Sequence, residues 1–296
     1  MLKQRLLSSA VLVPAFFIGL WFLPSAVLLC FVLFLSTLLL FEFYRVLNMA
    51  NIPAFRFVGV CCGAAILAAT YFGLAWSPGG NIGLARADAW AGMAMAVTVL
   101  ILMIRQFPQK HNDKPLPTIA CTLLGVLYVP FLLSFMVKLA FAGGGIGLGT
   151  SLANTPGYFF VIYVAFAAKL TDAGALFLGM AFGRHKLFPR LSPGKTWEGF
   201  IGGIATSVVM SLVFFHLVGS ERLGGMVVPP SHAVVLGIVL AIAGMMGDLA
   251  ESLLKRASTL KDSGSSVPGI GGALDIMDSV LFVAPIFYFY VRMMMP

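Results

Sequence analysis

The stretch from Gly247 to Ser279 gathers acids, bases and hydroxyls in a chain that has few of them elsewhere. In "GDLAESLLKRASTLKD", Asp248, Ser252 and Lys255 fall at i, i+4 and i+7, so a carboxylate, a hydroxyl and an ammonium share one helical face. In "GGALDIMDS", Asp275 and Asp278 fall at i and i+3, again on one face. The Gly- and Ser-rich turn between these segments is short enough to make their helices neighbours, which brings Asp248, Asp275 and Asp278 together. Clustered carboxylates repel one another unless a cation sits between them. Oxygen ligands favour a hard divalent ion such as Mg²⁺, which takes one or two carboxylates and completes its shell with water and phosphate oxygens. Lys255, Arg256 and Lys261 would oppose a cation there unless they serve an anion bridging to it, so the combination points to phosphate chemistry. The plainer reading, acids complementing a helix N-terminus, accounts for one exposed acid and leaves Asp248 unexplained.

Two further segments carry polar residues into apolar surroundings. In "KLTDAGALFLG", Lys169 and Asp172 lie three residues apart on one face of a long apolar helix. A central acid costs about 2.5–3.5 kcal/mol on insertion scales, so Asp172 is expected to face a protein or water-filled cavity; an ion pair that merely joins helices is the alternative. In "GRHKLFPRLSPGKTWEG", Arg184, Lys186, Arg190 and Lys195 alternate with turn-formers. Positive charge on a cytoplasmic loop explains much of this. It does not explain "SPGKT", where Ser192 and Gly194 let backbone N–H groups approach an anion, Lys195 adds a point charge and Thr196 can cap the next helix. This is not a P-loop, which would need glycine where Pro189 stands. His111, His185, His216 and His232 lack ligand spacing, and the four cysteines read as packing residues rather than a zinc site.

The elements that must position these groups are membrane helices. Of the 296 residues 60% are hydrophobic and 10% charged, and the mean hydropathy is +0.99, which excludes a soluble domain. The expected fold is all-α and polytopic, with about nine spans near 6–23, 25–48, 56–76, 90–104, 118–141, 157–182, 198–218, 232–254 and 272–293. Pro130 is expected to break or tilt one of them. The first run follows Lys3 and Arg5 as in a signal peptide, but the run beginning after Pro24 makes a retained helical hairpin the better reading. The net charge of +8 is a matter of membrane topology here, not of nucleic acid. With nine spans, Arg86, Arg222 and Arg292 face one side, Lys138 and Lys169 lie within spans, and the remaining bases face the N-terminal side. That asymmetry puts the N-terminus in the cytoplasm and the C-terminus outside. Residues 1–141 read as a scaffold of about five helices, 142–156 as a flexible linker, and 157–296 as a catalytic region of about four helices whose cavity opens to the cytoplasm.

With these segments in view, "SLLKRASTLKD" followed by "PGIGGALDIMD" resembles the C-terminal signature of the CDP-diacylglycerol synthases, the phosphatidate cytidylyltransferase family. "KLTDAGALFLG" and "LSPGKTWEGFIGG" resemble two further family segments in the same order, and the likeness covers essentially the whole chain. It implies an integral enzyme of the bacterial inner membrane that makes CDP-diacylglycerol and pyrophosphate from CTP and phosphatidic acid with Mg²⁺, alongside a second, monovalent ion such as K⁺. By the same resemblance Asp248, Ser252, Asp275 and Asp278 would lie at the metal centre. Asp172, Lys195, Lys255, Arg256, Lys261 and Asp262 would line the polar cavity with Ser192 and Thr196, and the protein would form a homodimer. Ile270 and Ile276 stand where the family commonly has His and Arg. Other readings are a polyprenol kinase or CDP-archaeol synthase type of enzyme, a non-catalytic relative, or a cation-coupled transporter, which would tend to show repeated halves.

Overall fold

Apolar runs of this length have no choice but to satisfy their backbone groups internally, and they do so as helices. The computed structural model describes residues 18–76, 80–107, 112–142, 151–153, 155–257 and 272–295. Among these, eight helical segments are long and apolar enough to cross a membrane, matching eight of the nine expected spans. The expected first span lies mostly outside the described residues; of it, residues 18–22 are helical, and Trp21 meets Tyr158 edge-on with ring centroids 4.9 Å apart.

The first half contributes α1 (Ser25–Met49), α2 (Arg56–Ala75) and α3 (Gly80–Gln106). Its fourth span, Pro115–Ala140, combines α4 (Pro115–Val126), a π-helical turn (Leu127–Phe131) and α5 (Leu132–Ala140). The break expected at Pro130 is thus a widened turn: proline has no N–H to donate and its ring crowds the preceding carbonyls, and the π geometry relieves both without ending the helix. The second half contains α6 (Pro156–Phe182), the two short strands β1 (Lys186–Phe188) and β2 (Ser192–Thr196), α7 (Trp197–Arg222), α8 (Pro230–Ala257) and α9 (Ala273–Met294). Strands β1 and β2 pair antiparallel, so the basic loop expected between spans is a hairpin. The linker expected at 142–156 lies largely outside the described residues, although Ser151 forms an isolated bridge with Pro24.

One apolar core crosses both halves, from Leu39 and Phe43 on α1 through Leu133 on α5 to Phe160 on α6 and Phe287 on α9. Helices α6 and α7 pack closely because small residues alternate along their seam. A Cβ on Gly199 would stand 2.7 Å from the Ala175 carbonyl oxygen, and one on Gly203 3.1 Å from that of Thr171. The far end of α9 is held by polar contacts from the first half. Lys138 on α5, only 2% exposed, pairs with Asp88 on α3 at 2.9 Å, and the Tyr288 hydroxyl on α9 donates to the same carboxylate at 2.8 Å. Lys138 also lies 4.4 Å from the centre of the Phe135 ring. Removing one partner of a buried pair costs about 3–5 kcal/mol, whereas replacing both by apolar groups is often neutral. Asp88 is itself 40% exposed, so the cost is smaller here: Asp88→Ala is expected to lower the thermal stability of the detergent-solubilised protein by about 1–2 kcal/mol, and adding Lys138→Met is expected to restore most of the loss in the same melting measurement.

Candidate active site

The C-terminal part of α8 and the first two turns of α9 lie side by side because Gly247 removes the side chain that would separate them. A Cβ at Gly247 would overlap the backbone carbonyl of Asp278. The contact brings Asp248 and Glu251 of α8 to Asp278 of α9, with one carboxylate oxygen of each within 4.8 Å of the others. Asp278 is 3% exposed and Glu251 similarly buried. The Asp278 Oδ1 accepts from the Ser279 backbone N–H at 2.6 Å and from its hydroxyl at 3.2 Å. That hydroxyl also lies 3.2 Å from Asp172 Oδ2, which links the acid of α6 to the cluster. Lys169 pairs with Asp172 at 3.7 Å, as its spacing predicts.

Two lysines balance these acids from different elements. Lys195, on β2, reaches Asp248 Oδ2 at 2.8 Å. Lys255, on α8, pairs with Glu251 at 2.8 Å, one turn away, and with Asp275 Oδ1 at 3.0 Å. Asp275 Oδ2 accepts from the backbone N–H of Gly272 at 3.1 Å, so this carboxylate both closes the N-terminus of α9 and engages Lys255. Thr196 caps α7, its hydroxyl accepting from the Gly199 N–H at 3.1 Å, as its position before the helix predicts. The hairpin is seated at both ends. Glu198 accepts from the backbone N–H groups of Arg184 and His185 and meets His185 Nδ1 at 2.6 Å, while Arg256 Nε donates to the Leu191 carbonyl at 3.3 Å.

Some of these groups border a cavity of about 510 Å³ between α6, α7, α8, α9 and the hairpin, with Glu251 and Lys255 outside its described lining. Asp172, Ser192, Lys195, Thr196, Asp248, Asp275 and Asp278 all line it, so seven of the residues singled out from sequence meet in one place. Arg256 instead ties the hairpin to α8. Ser252 is half-buried on α8 and is not among the described lining residues. Lys261, Asp262 and Ile270 lie outside the described residues, and Ile276 is half-buried beside Asp275. Sequence spacing overlooked Glu251, although it sits three residues after Asp248 and four before Lys255 on that same face. The oxygen-only donor set of Asp248, Glu251 and Asp278 fits a hard divalent cation of the Mg²⁺ type.

Acids converging with Lys195 on one cavity, within a bundle whose described residues include eight helices able to cross a membrane, mark an integral membrane protein with an acidic polar site. The chain matches the cytidylyltransferase family over residues 3–294 and belongs to that family of nucleotidyltransferases. It is 32% identical to a phosphatidate cytidylyltransferase of Haemophilus influenzae, over 98% of this chain and 99% of the relative. It is 30% identical to the Bacillus subtilis protein of the same name, over 69% of each chain, and 32% identical to that of Staphylococcus haemolyticus, over 70% of this chain and 81% of the relative.

The closeness of α8 and α9 yields a local test. Overpacking costs about 1–3 kcal/mol, so Gly247→Ala is expected to lower the melting temperature in detergent, because the opposing atom is backbone and cannot turn aside. At Gly244, one turn earlier, a Cβ would meet Val283 at an ordinary 3.7 Å, so Gly244→Ala should melt at or above the wild-type temperature.

Proposed function

We propose that this protein is a phosphatidate cytidylyltransferase that joins CTP and phosphatidic acid to give CDP-diacylglycerol and pyrophosphate. The observation that carries the reading is the cluster of Asp248, Glu251 and Asp278, paired with Lys195 and Lys255, at the edge of one cavity inside a membrane-spanning bundle. Family membership supplies the nucleotide chemistry, and the names of the relatives supply the substrate.

In this reaction an oxygen of the phosphatidic acid phosphate attacks the α-phosphorus of CTP. A new P–O bond forms as the bond to the bridging oxygen breaks, and pyrophosphate leaves with that electron pair. The attacking oxygen is already anionic near neutral pH, so the step needs no strong general base, and a chain with Ile270 in place of the family histidine can perform it. What the reaction does need is two anions held together and their growing charge neutralised. Lys195 lines the cavity from the hairpin and can hold a phosphate group there, while Lys255 on α8 braces Glu251 and Asp275 beside it. Asp248, Glu251 and Asp278 would hold Mg²⁺, which when bound supplies charge neutralisation for phosphoryl oxygens. A second, monovalent ion such as K⁺ belongs to the same reading. Leu176 and Met180 on α6 line the cavity while being 59% and 67% exposed, giving acyl chains an apolar way in from the side.

The charge asymmetry supports a bacterial inner-membrane protein with its N-terminus and active site toward the cytoplasm, where CTP is available. The test is pyrophosphate release by the purified protein in detergent with phosphatidic acid, CTP and Mg²⁺. Release is expected, with a fall of about 100-fold or more in Asp278→Asn and on chelation by EDTA. Folded wild-type protein that releases no pyrophosphate under these conditions would overturn the reading.

A further inference from the structure

Helix α9 carries Asp275 and Asp278, and its first turn is closed by an acid from the opposite half of the chain. Glu42 lies on α1 and is 4% exposed. The backbone N–H of Ala273 donates to Glu42 Oε1 at 3.0 Å, and that of Leu274 donates to Oε2 at 2.8 Å. These are two of the donors that a helix N-terminus leaves without intrahelical partners. Asp275 takes the donor before them, the N–H of Gly272. The N-terminus is therefore held by one carboxylate from within the helix and one from more than 200 residues away in sequence.

The geometry of this second contact is demanding. A carboxylate spanning two consecutive N–H groups fixes a helix both along its axis and about it, because each residue of slippage moves the backbone by about 1.5 Å and turns it by about 100°. Asp278 is one turn beyond Leu274 on the same helix, so its direction toward Asp248 and Glu251 follows from where the first turn is held. Apolar packing against lipid and neighbouring helices is a weak source of such register, since tails and side chains are equally apolar. An acid inside a span is costly, and Glu42 meets that cost by answering two buried donors.

We infer that Glu42 is a positioning residue of the active site, pinning the first turn of α9 so that the Asp275 and Asp278 carboxylates are presented to the cavity. The inference rests on the cytidylyltransferase reading for its catalytic consequence, but not for its structural one. It assigns a site function to the N-terminal half, through a residue that lines no part of the described cavity.

The test compares wild type, Glu42→Gln and Asp88→Ala in detergent. Asp88→Ala disturbs the opposite end of α9 and controls for general loss of stability. Amide hydrogen exchange without metal is expected to quicken at least about 10-fold at Ala273 and Leu274 in Glu42→Gln, because one of the two acceptors becomes an amide N–H₂. The Mg²⁺ concentration giving half-maximal thermal stabilisation is expected to rise about 3-fold or more, and kcat to fall about 10-fold or more with KM for CTP nearly unchanged. Asp88→Ala should lower the melting temperature while leaving the Mg²⁺ midpoint at the wild-type value. Unchanged exchange in Glu42→Gln would overturn the pinning itself. Faster exchange with a wild-type Mg²⁺ midpoint and kcat would reduce Glu42 to a structural cap and overturn its role at the site. A wild-type protein with neither Mg²⁺ response nor activity would instead sink the cytidylyltransferase reading, while the exchange result would still decide whether Glu42 holds the turn.

Discussion

Three carboxylates whose oxygens approach within 4.8 Å cannot all remain ionised in a membrane protein unless positive charge lies among them. At an effective dielectric of about 20, each like-charged pair at such a distance repels by on the order of 3 kcal/mol, less for Asp248 because its side chain is partly open to solvent. That repulsion is comparable with a large fraction of a folded protein's net stability. The second half is arranged around it. Lys255 answers Glu251 from the same helix face and Asp275 across to the neighbouring helix, and Lys195 answers Asp248 from the β1–β2 hairpin. A divalent ion would complete what two lysines begin. A site that is both acidic and basic is then poised for anions that bridge the two.

The surrounding elements follow from the need to hold charged groups close in a medium that gives little directional packing. Glycines at the α6–α7 seam let two backbones approach, so that Asp172 and the N-terminus of α7 border the same cavity. Gly247 does the same for α8 and α9 at the acids themselves. The hairpin is tethered by Glu198 at its base and by Arg256 at its turn, so Lys195 is carried on a braced structure rather than a free loop. Each is a short-range steric or hydrogen-bond device. Together they substitute for the hydrophobic force that organises a water-soluble core.

The sequence made some of this plain and left other parts obscure for physical reasons. Span positions followed from apolar runs, because length and hydropathy dominate membrane insertion. Helical periodicity brought Asp248 and Lys255 to one face and Asp275 with Asp278 to another, and Thr196 declared its capping role by type and place. Periodicity was less able to rank Ser252 against Glu251, since both flank Asp248 on that face; carboxylate chemistry favours Glu251, and the structure brings Glu251 to the cluster. The strands β1 and β2 were hidden in turn-forming residues, because a hairpin this short lacks a hydrophobic alternation. Glu42 and Asp88 were legible only as isolated acids in apolar helices. Their partners, the N-terminus of α9 and the Lys138–Tyr288 pair, lie hundreds of residues away or on another helix, beyond any local pattern.

Those two acids also explain why the N-terminal half is more than a passive scaffold. Both act on α9, Glu42 at the end that bears Asp275 and Asp278, and Asp88 through Tyr288 at the other end. Near that second end Arg292 donates to the Asn81 carbonyl at 2.9 Å, adding a further polar tie to α3. A helix whose first turn is held by Glu42 cannot slide by a residue without breaking hydrogen bonds that lipid cannot replace, whereas the Asp88 end contributes stability more than register. Slippage is the error that would matter most, because one residue of rotation would swing Asp278 away from Asp248 and Glu251. With Glu42 in the first half and the acids it is inferred to position in the second, assembly of the site depends on assembly of the whole bundle. An isolated C-terminal half would keep Asp248, Glu251, Asp275 and Asp278 but lose the Glu42 contacts to the first turn of α9.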